Sequence, residues 1–238
     1  MLNDYSKSAY IYDDNFKRYF NYPAACKKIN NFINQHSKSA KTLLDVACGT
    51  GKHIDSLKDY YQVEGRDISS EMLKVARDRC PDILFHESCM MEFDLGKKYD
   101  VITCLYSSIA LLKTLDNVKK AIKCMVNHLA DGGLLLIEPW WDADQLWEGK
   151  LMFSSSDQPD MKICCMYIIK REGQVSIFDM HYMVGTEEGI ETFVEREELG
   201  LFTQQQYTES LEAAGLKVHY YDTDLFPKHK YGLYVGIK

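Results

Sequence analysis

The chain has 238 residues, 46% hydrophobic and 26% charged, an ordinary balance for a soluble globular protein that can bury a sizeable core. Its formal net charge of −7 argues against nucleic acid or an anionic membrane as the main partner. No run approaches a membrane span, and the first residues lack the basic start and apolar core of a signal peptide. The eight cysteines are scattered through apolar-looking segments without a C-x-x-C pair, which fits buried reduced thiols in a cytoplasmic protein and gives no metal-ligand set.

Residues 1–36, rich in Tyr and Phe, are expected to form one or two helices packed over the fold. Strand-like and helix-like segments then alternate over 42–139. "TLLDVA" is a short apolar strand ending at a glycine loop. "YQVEGRDIS" is a second strand ending in an acid, followed by a helix with Met72, Val75 and Ala76 on one face. "DILFHES" is a third strand, and the unbroken apolar run of "YDVITCLYS" suits a fourth, buried on both faces. Residues 116–133 read as a helix capped by Asp116 and ended by Gly132 and Gly133, with Val118, Ile122 and Met125 along one side. "GLLLIEPWW" is a fifth strand stopped by Pro139.

After Trp141 the helices stop. "MKICCMYIIKREG", "QVSIFDMHYMVG" and "IETFVEREELGL" read as three antiparallel strands separated by turn signals at Gly173 and Gly185–Gly189. "TQQQYTESLEAAG" is a helix with Thr203 at its start and Gly215 past its end, and "LKVHYYD" and "YGLYVGIK" form a closing hairpin. The expected class is α/β: a seven-stranded, mostly parallel sheet with helices on both faces, plus a three-stranded antiparallel insertion. The chain divides into a lid (1–36), a core (37–139), the insertion (140–200) and a last helix with two strands (201–238).

The loop "DVACGTG" excludes two common cofactor types. A dinucleotide fingerprint needs glycine where Ile54 stands, and a phosphate loop needs Ser or Thr after Gly51-Lys52, where His53 stands. What remains is Asp45-x-Ala47-x-Gly49-x-Gly51, joined to Asp67 at the end of the second strand. A carboxylate there can accept both hydroxyls of an adenosine ribose, and Ile68 offers an apolar face to the base. This combination resembles motifs one and two of the class I, Rossmann-like S-adenosylmethionine-dependent methyltransferases.

The resemblance implies S-adenosyl-L-methionine as cofactor and S-adenosyl-L-homocysteine as product. The loop backbone holds the methionine half, and Met72, Met90, Leu105 and Ser107 complete the cofactor set. Ala47 is expected in an ordinary conformation, since its side chain disfavours φ > 0. The family's third motif, an acid and a hydrophobic residue that meet adenine, corresponds to "ESCMMEF", which has Cys89 in place of the acid. A thiol is a poor acceptor, so either Glu87 or Glu92 reaches in, or Met90 N–H and packing hold the base.

"VITCLYSSIALL", "EPWW", "LFTQQQYTESLEAAG" and "YGLYVGIK" are similar to a narrower group, the N,N-dimethyltransferases of nucleotide-linked amino sugars such as desosamine and mycaminose. That resemblance implies methyl transfer to a small-molecule amine, an amino sugar linked to a nucleotide, by an enzyme that is often a homodimer. A simpler amine, guanidine, amino acid or hydroxyl acceptor, or a cofactor-binding protein without catalysis, are the alternatives. Tyr12 and Tyr22 match lid tyrosines that close over the methionine end and the acceptor. Trp140 and Trp141 leave the fifth strand near the acceptor, one to wall its pocket and the other to pack on the insertion. His181 matches a histidine that orients or deprotonates the amine, although a surface position on the sheet would explain it equally. Glu195 and Glu198 match positions that hold the amine or sugar hydroxyls, with a strand-face salt bridge favoured for Glu198. Tyr231 replaces an arginine suited to a pyrophosphate, and Lys228, His229 and Lys230 just before it carry positive charge that can substitute.

Overall fold

Alternate residues of a strand face opposite sides of its sheet, and apolar pairs in this sequence cover both sides. In the computed structural model, which describes residues 5–16, 20–223, 225 and 231–238, Leu43, Val101 and Leu134 enter one apolar layer and Leu44, Ile102 and Leu135 the other. These pairs sit on β1 (Thr42–Val46), β4 (Tyr99–Cys104) and β5 (Leu129–Ile137). On one side the sheet continues through β2 (Gln62–Asp67) and β3 (Leu84–Glu87), on the other through β12 (Leu233–Ile237) and β11 (Lys217–Tyr221). The order is β11-β12-β5-β4-β1-β2-β3, parallel from β5 to β3 and antiparallel at the β12 and β11 edge. This is the expected seven-stranded sheet. The chain steps outward from β1 to β3 and resumes on the other side of β1 at β4, so a crevice opens between the ends of β1 and β4.

Helices α2 (Tyr22–His36), α3 (Lys52–Leu57) and α4 (Ser70–Arg79) cover the first layer through Ile29, Ile33, Ile54 and Leu73. Helices α5 (Leu115–Asn127) and α6 (Gln204–Ala213) cover the second through Val118, Ile122, Met125 and Leu211. The cap of α5 is Thr114, whose hydroxyl accepts from Asn117 N at 3.3 Å, and Asp116 lies in the first turn instead. Gly132 and Gly133 do not end that helix. They sit in a bulge of β5, where the register jumps from Tyr99↔Leu129 to Val101↔Leu134. Gly132 is left-handed there (φ 75°), and a Cβ on Gly133 would lie 2.8 Å from the Ala130 carbonyl oxygen. Thr203 caps α6 as expected, and Gln206 completes a capping box with it.

The insertion holds five strands rather than three: β6 (Leu151–Asp157), β7 (Lys162–Ile168), β8 (Lys170–Glu172), β9 (Val175–Thr186) and β10 (Gly189–Gly200), in the order β10-β9-β7-β6 with β8 also on β9. One expected strand breaks at Ile169, whose backbone turns to pair with Gly149 and Lys150. Strand β6 escapes the sequence pattern because its polarity is inverted: Ser154 and Ser156 face inward while Leu151 and Phe153 face out. Ser154 Oγ meets Asn15 Oδ1 at 2.7 Å, which docks α1 (Tyr12–Phe16) on this sheet. None of the described helices is long and apolar enough to cross a membrane.

Candidate active site

The loop leaving β1 turns through three left-handed residues, Ala47 (φ 59°), Gly49 (φ 53°) and Gly51 (φ 77°). Ala47 therefore departs from the ordinary conformation expected of it. Cys48 N donates to Arg66 O and Gly51 N to Cys48 O, both at 3.0 Å, and these closures hold the alanine in place. A non-glycine residue there costs roughly 1 kcal/mol. Ala47→Gly is expected to raise stability by about 0.5–1 kcal/mol in thermal unfolding, with cofactor binding unchanged; a lower Tm would show that packing of the methyl outweighs its backbone strain. Gly51 lies behind the loop, where a Cβ would meet Ala76 Cβ at 3.2 Å, and so permits packing on α4 rather than lining the crevice.

Above the loop lies an open cavity whose wall includes Asp45, Ala47, Gly49 and Asp67. Both Asp67 oxygens accept backbone N–H groups, Oδ2 from Gly49 at 2.8 Å and Oδ1 from Ser69 at 2.9 Å. Each keeps a lone pair for a diol. Burial raises this carboxyl above its usual range against the pull of those hydrogen bonds. Asp45 is buried at the end of β1. Its Oδ1 accepts from Thr103 Oγ1 at 2.7 Å, and Oδ2 has no partner among the described residues. Burial pushes its carboxyl up to about 7. An orphaned carboxylate oxygen at the floor of a cavity fits an ammonium group, such as that of a methionine moiety. Met72, Met90 and Leu105 add apolar walls, and Ile68, 40% exposed, presents an uncovered apolar face to the same cavity. These groups fit S-adenosylmethionine: Asp45 would meet its amino group, Asp67 its ribose, and Ile68 and Met90 its base.

Tyr12 and Tyr22 close the cavity from the amino-terminal segment. The segment is pinned by Asp13, whose carboxylate accepts from Thr50 Oγ1 at 2.7 Å and pairs with Arg79, with Lys52 Nζ at 3.9 Å. Tyr12 also walls a second cavity, beside Trp140, Trp141, Phe178 and Tyr231. Both tryptophans line it, and Trp140 in addition packs against the insertion, donating to Ser176 Oγ of β9 at 3.0 Å. Tyr231 packs with its ring 5.3 Å from that of Trp140. Ser107 belongs here rather than to the cofactor cavity, where Ser108 stands instead. Its Oγ donates to Pro139 O at 2.7 Å, joining the loops after β4 and β5.

Tyr106 and Glu197 border both cavities. Tyr106 is left-handed (φ 51°), and its N–H donates to Glu138 Oε2 at 2.6 Å. Glu138 is buried beneath it, with its carboxyl pushed up to about 8 by desolvation. Glu197 accepts the Tyr5 hydroxyl. Desolvation first, and then the neighbouring Glu195, push its carboxyl up to about 7 against the Tyr5 hydrogen bond. Sequence reasoning missed Glu197, although its spacing from Glu195 marks both for one face of β10.

Other expected residues stand elsewhere. His181 is exposed on the outer face of the second sheet, because Met180 and Tyr182 take the inward positions of β9, and it lines neither cavity. Glu195 is buried on the inward face of β10 but outside both cavities. Glu198 pairs with Lys113 at 2.9 Å and Arg196 at 3.2 Å, as a strand-face ion pair. Glu87 and Glu92 are exposed and, like Cys89, off the cofactor cavity. Lys228, His229 and Lys230 lie outside the described residues.

A methyltransferase-domain family model matches residues 43–133. The chain is 35% identical over 216 residues, 90% of its length, to dTDP-4-amino-2,3,4,6-tetradeoxy-D-glucose N,N-dimethyltransferase of Saccharopolyspora spinosa, covering 86% of that protein. It is 34% identical to dTDP-3-amino-3,6-dideoxy-alpha-D-glucopyranose N,N-dimethyltransferase of Streptomyces fradiae, over 79% of this chain and 74% of that one. The solved structure of an S-adenosylmethionine-bound amino pentose methyltransferase of Micromonospora echinaspora, involved in calicheamicin biosynthesis, superposes with a TM-score of 0.85 at 29% identity, covering 95% of this chain and 96% of that one. The chain belongs to the family of these enzymes, the S-adenosylmethionine-dependent N,N-dimethyltransferases.

Proposed function

We propose that this enzyme methylates the amine of an amino sugar carried on a nucleotide, at the junction where its two cavities meet. The observation that carries this reading is the shared wall: Tyr12, Tyr106 and Glu197 border the cofactor cavity and the aromatic cavity alike. The relatives' substrates, dTDP-linked amino sugars, supply the acceptor class. Apolar faces of a deoxysugar suit walls made of Trp140, Trp141 and Phe178.

The bound cofactor supplies an activated methyl on a sulfonium. What the protein adds is position and a neutral amine. A sugar amine arrives largely as an ammonium, which cannot attack. Glu197, ionised above about pH 7, is placed to receive that proton at the junction. Tyr5 holds the carboxylate by donating to Oε1. Tyr12 and Tyr106, kept protonated by burial, shape the passage without competing as bases.

Mass spectrometry of the enzyme with S-adenosylmethionine and a panel of dTDP-3-amino and dTDP-4-amino sugars tests the reading. A sugar nucleotide should gain about 14 mass units per methyl transferred. Gain only on simple amines or hydroxyl compounds would move the acceptor to another class.

A further inference from the structure

The loops at the carboxyl edge of β1, β2 and β3 line one cavity in succession: the glycine loop, then Asp67, then the Ser88–Met90 turn. A ligand whose methionine end lies over the first and whose ribose lies on the second brings its adenine to the third. Adenine carries an exocyclic amine, a donor that loses free energy if buried without an acceptor. Cys89, Glu87 and Glu92 do not reach the cavity; Ser88 and Met90 do.

Ser88 is unusually well fixed. Its N–H donates to Asp67 O at 2.9 Å. Its Oγ accepts from Arg66 Nη2, which also donates to Cys89 O at 2.8 Å. Arg66 is 1% exposed and lies over the Phe93 ring, 3.6 Å from its centroid. A buried guanidinium is costly, and both its hydrogen bonds go to this one turn. Its Nε and Nη1 have no partner among the described residues. Since a guanidinium only donates, the Ser88 oxygen is an acceptor toward Arg66 and keeps a second lone pair free.

We propose that Ser88 Oγ, oriented by Arg66, accepts the exocyclic amine of the cofactor's adenine and so fills the place left without an acid at Cys89. Ser88 is then a specificity-determining residue and Arg66 a positioning residue. The inference rests on the cofactor assignment above.

Calorimetry tests it with S-adenosylhomocysteine and its 6-deamino analogue, in which hydrogen replaces the amine. The wild type should prefer S-adenosylhomocysteine about tenfold, the size of one buried hydrogen bond. In Ser88→Ala that preference should fall below about twofold with affinity for the deamino analogue unchanged, while Ser88→Thr keeps it. A Ser88→Ala protein that retains the tenfold preference, or a wild type without one, overturns the proposal alone. A wild type that binds neither compound removes the cofactor assignment and the proposal with it.

Discussion

Glu197→Gln is expected to lower kcat about 100-fold while the KM for the amino sugar changes less than about threefold. The amide keeps the shape and the hydrogen bond to Tyr5 but cannot take a proton from the incoming ammonium. Two further readouts separate this from general damage. With the wild-type carboxyl near 7, kcat/KM should fall as pH drops below that value, and the variant should lack that limb. Stability should move the other way. Burial raises this pKa above its unfolded value, so the group's contribution is fully present below that unfolded value and fades as pH rises through about 7. At pH 8 the neutral glutamine removes a partly buried charge, and Tm should equal or exceed that of the wild type. A variant with kcat within threefold of wild type would exclude Glu197 as the proton acceptor.

Asp67→Ala and Asp67→Asn are both expected to weaken S-adenosylhomocysteine binding about 30- to 100-fold in calorimetry, which amounts to two charge-assisted hydrogen bonds. The asparagine is the sharper case. Each Asp67 oxygen already accepts a backbone N–H, from Gly49 or from Ser69, so either orientation of an amide turns its NH2 toward another donor. The conservative change should therefore disturb the glycine loop as well as the ribose contact. Asn binding within threefold of wild type would mean that the carboxylate does not organise the loop.

The parts of this site legible in the sequence are those fixed by neighbours in the chain. "DVACGTG" and the acid ending "YQVEGRD" name a strand, a turn and a carboxylate within a few residues, and the structure brings them to one cavity. The aromatic pair after Pro139 is legible for the same reason. What escaped depends on register or on long-range contact. Glu197 and His181 differ from their neighbours only in which face of a strand they occupy, and a shift of one residue exchanges the faces. Strand β6 buries Ser154 because Asn15, far away in sequence, supplies a partner. Ala47 adopts a left-handed turn that its own preference opposes, because hydrogen bonds on either side close the loop around it. Arg66 reads as one more strand residue until the Ser88–Cys89 turn is seen folded against it.

The contacts of Asp13 bear on both chambers at once. Tyr12, its neighbour in the same short helix, is a wall of both chambers, and one carboxylate tethers that helix to Thr50 and Arg79. The two chambers therefore share a wall that this one carboxylate, with the Asn15–Ser154 contact of the same helix, holds in place.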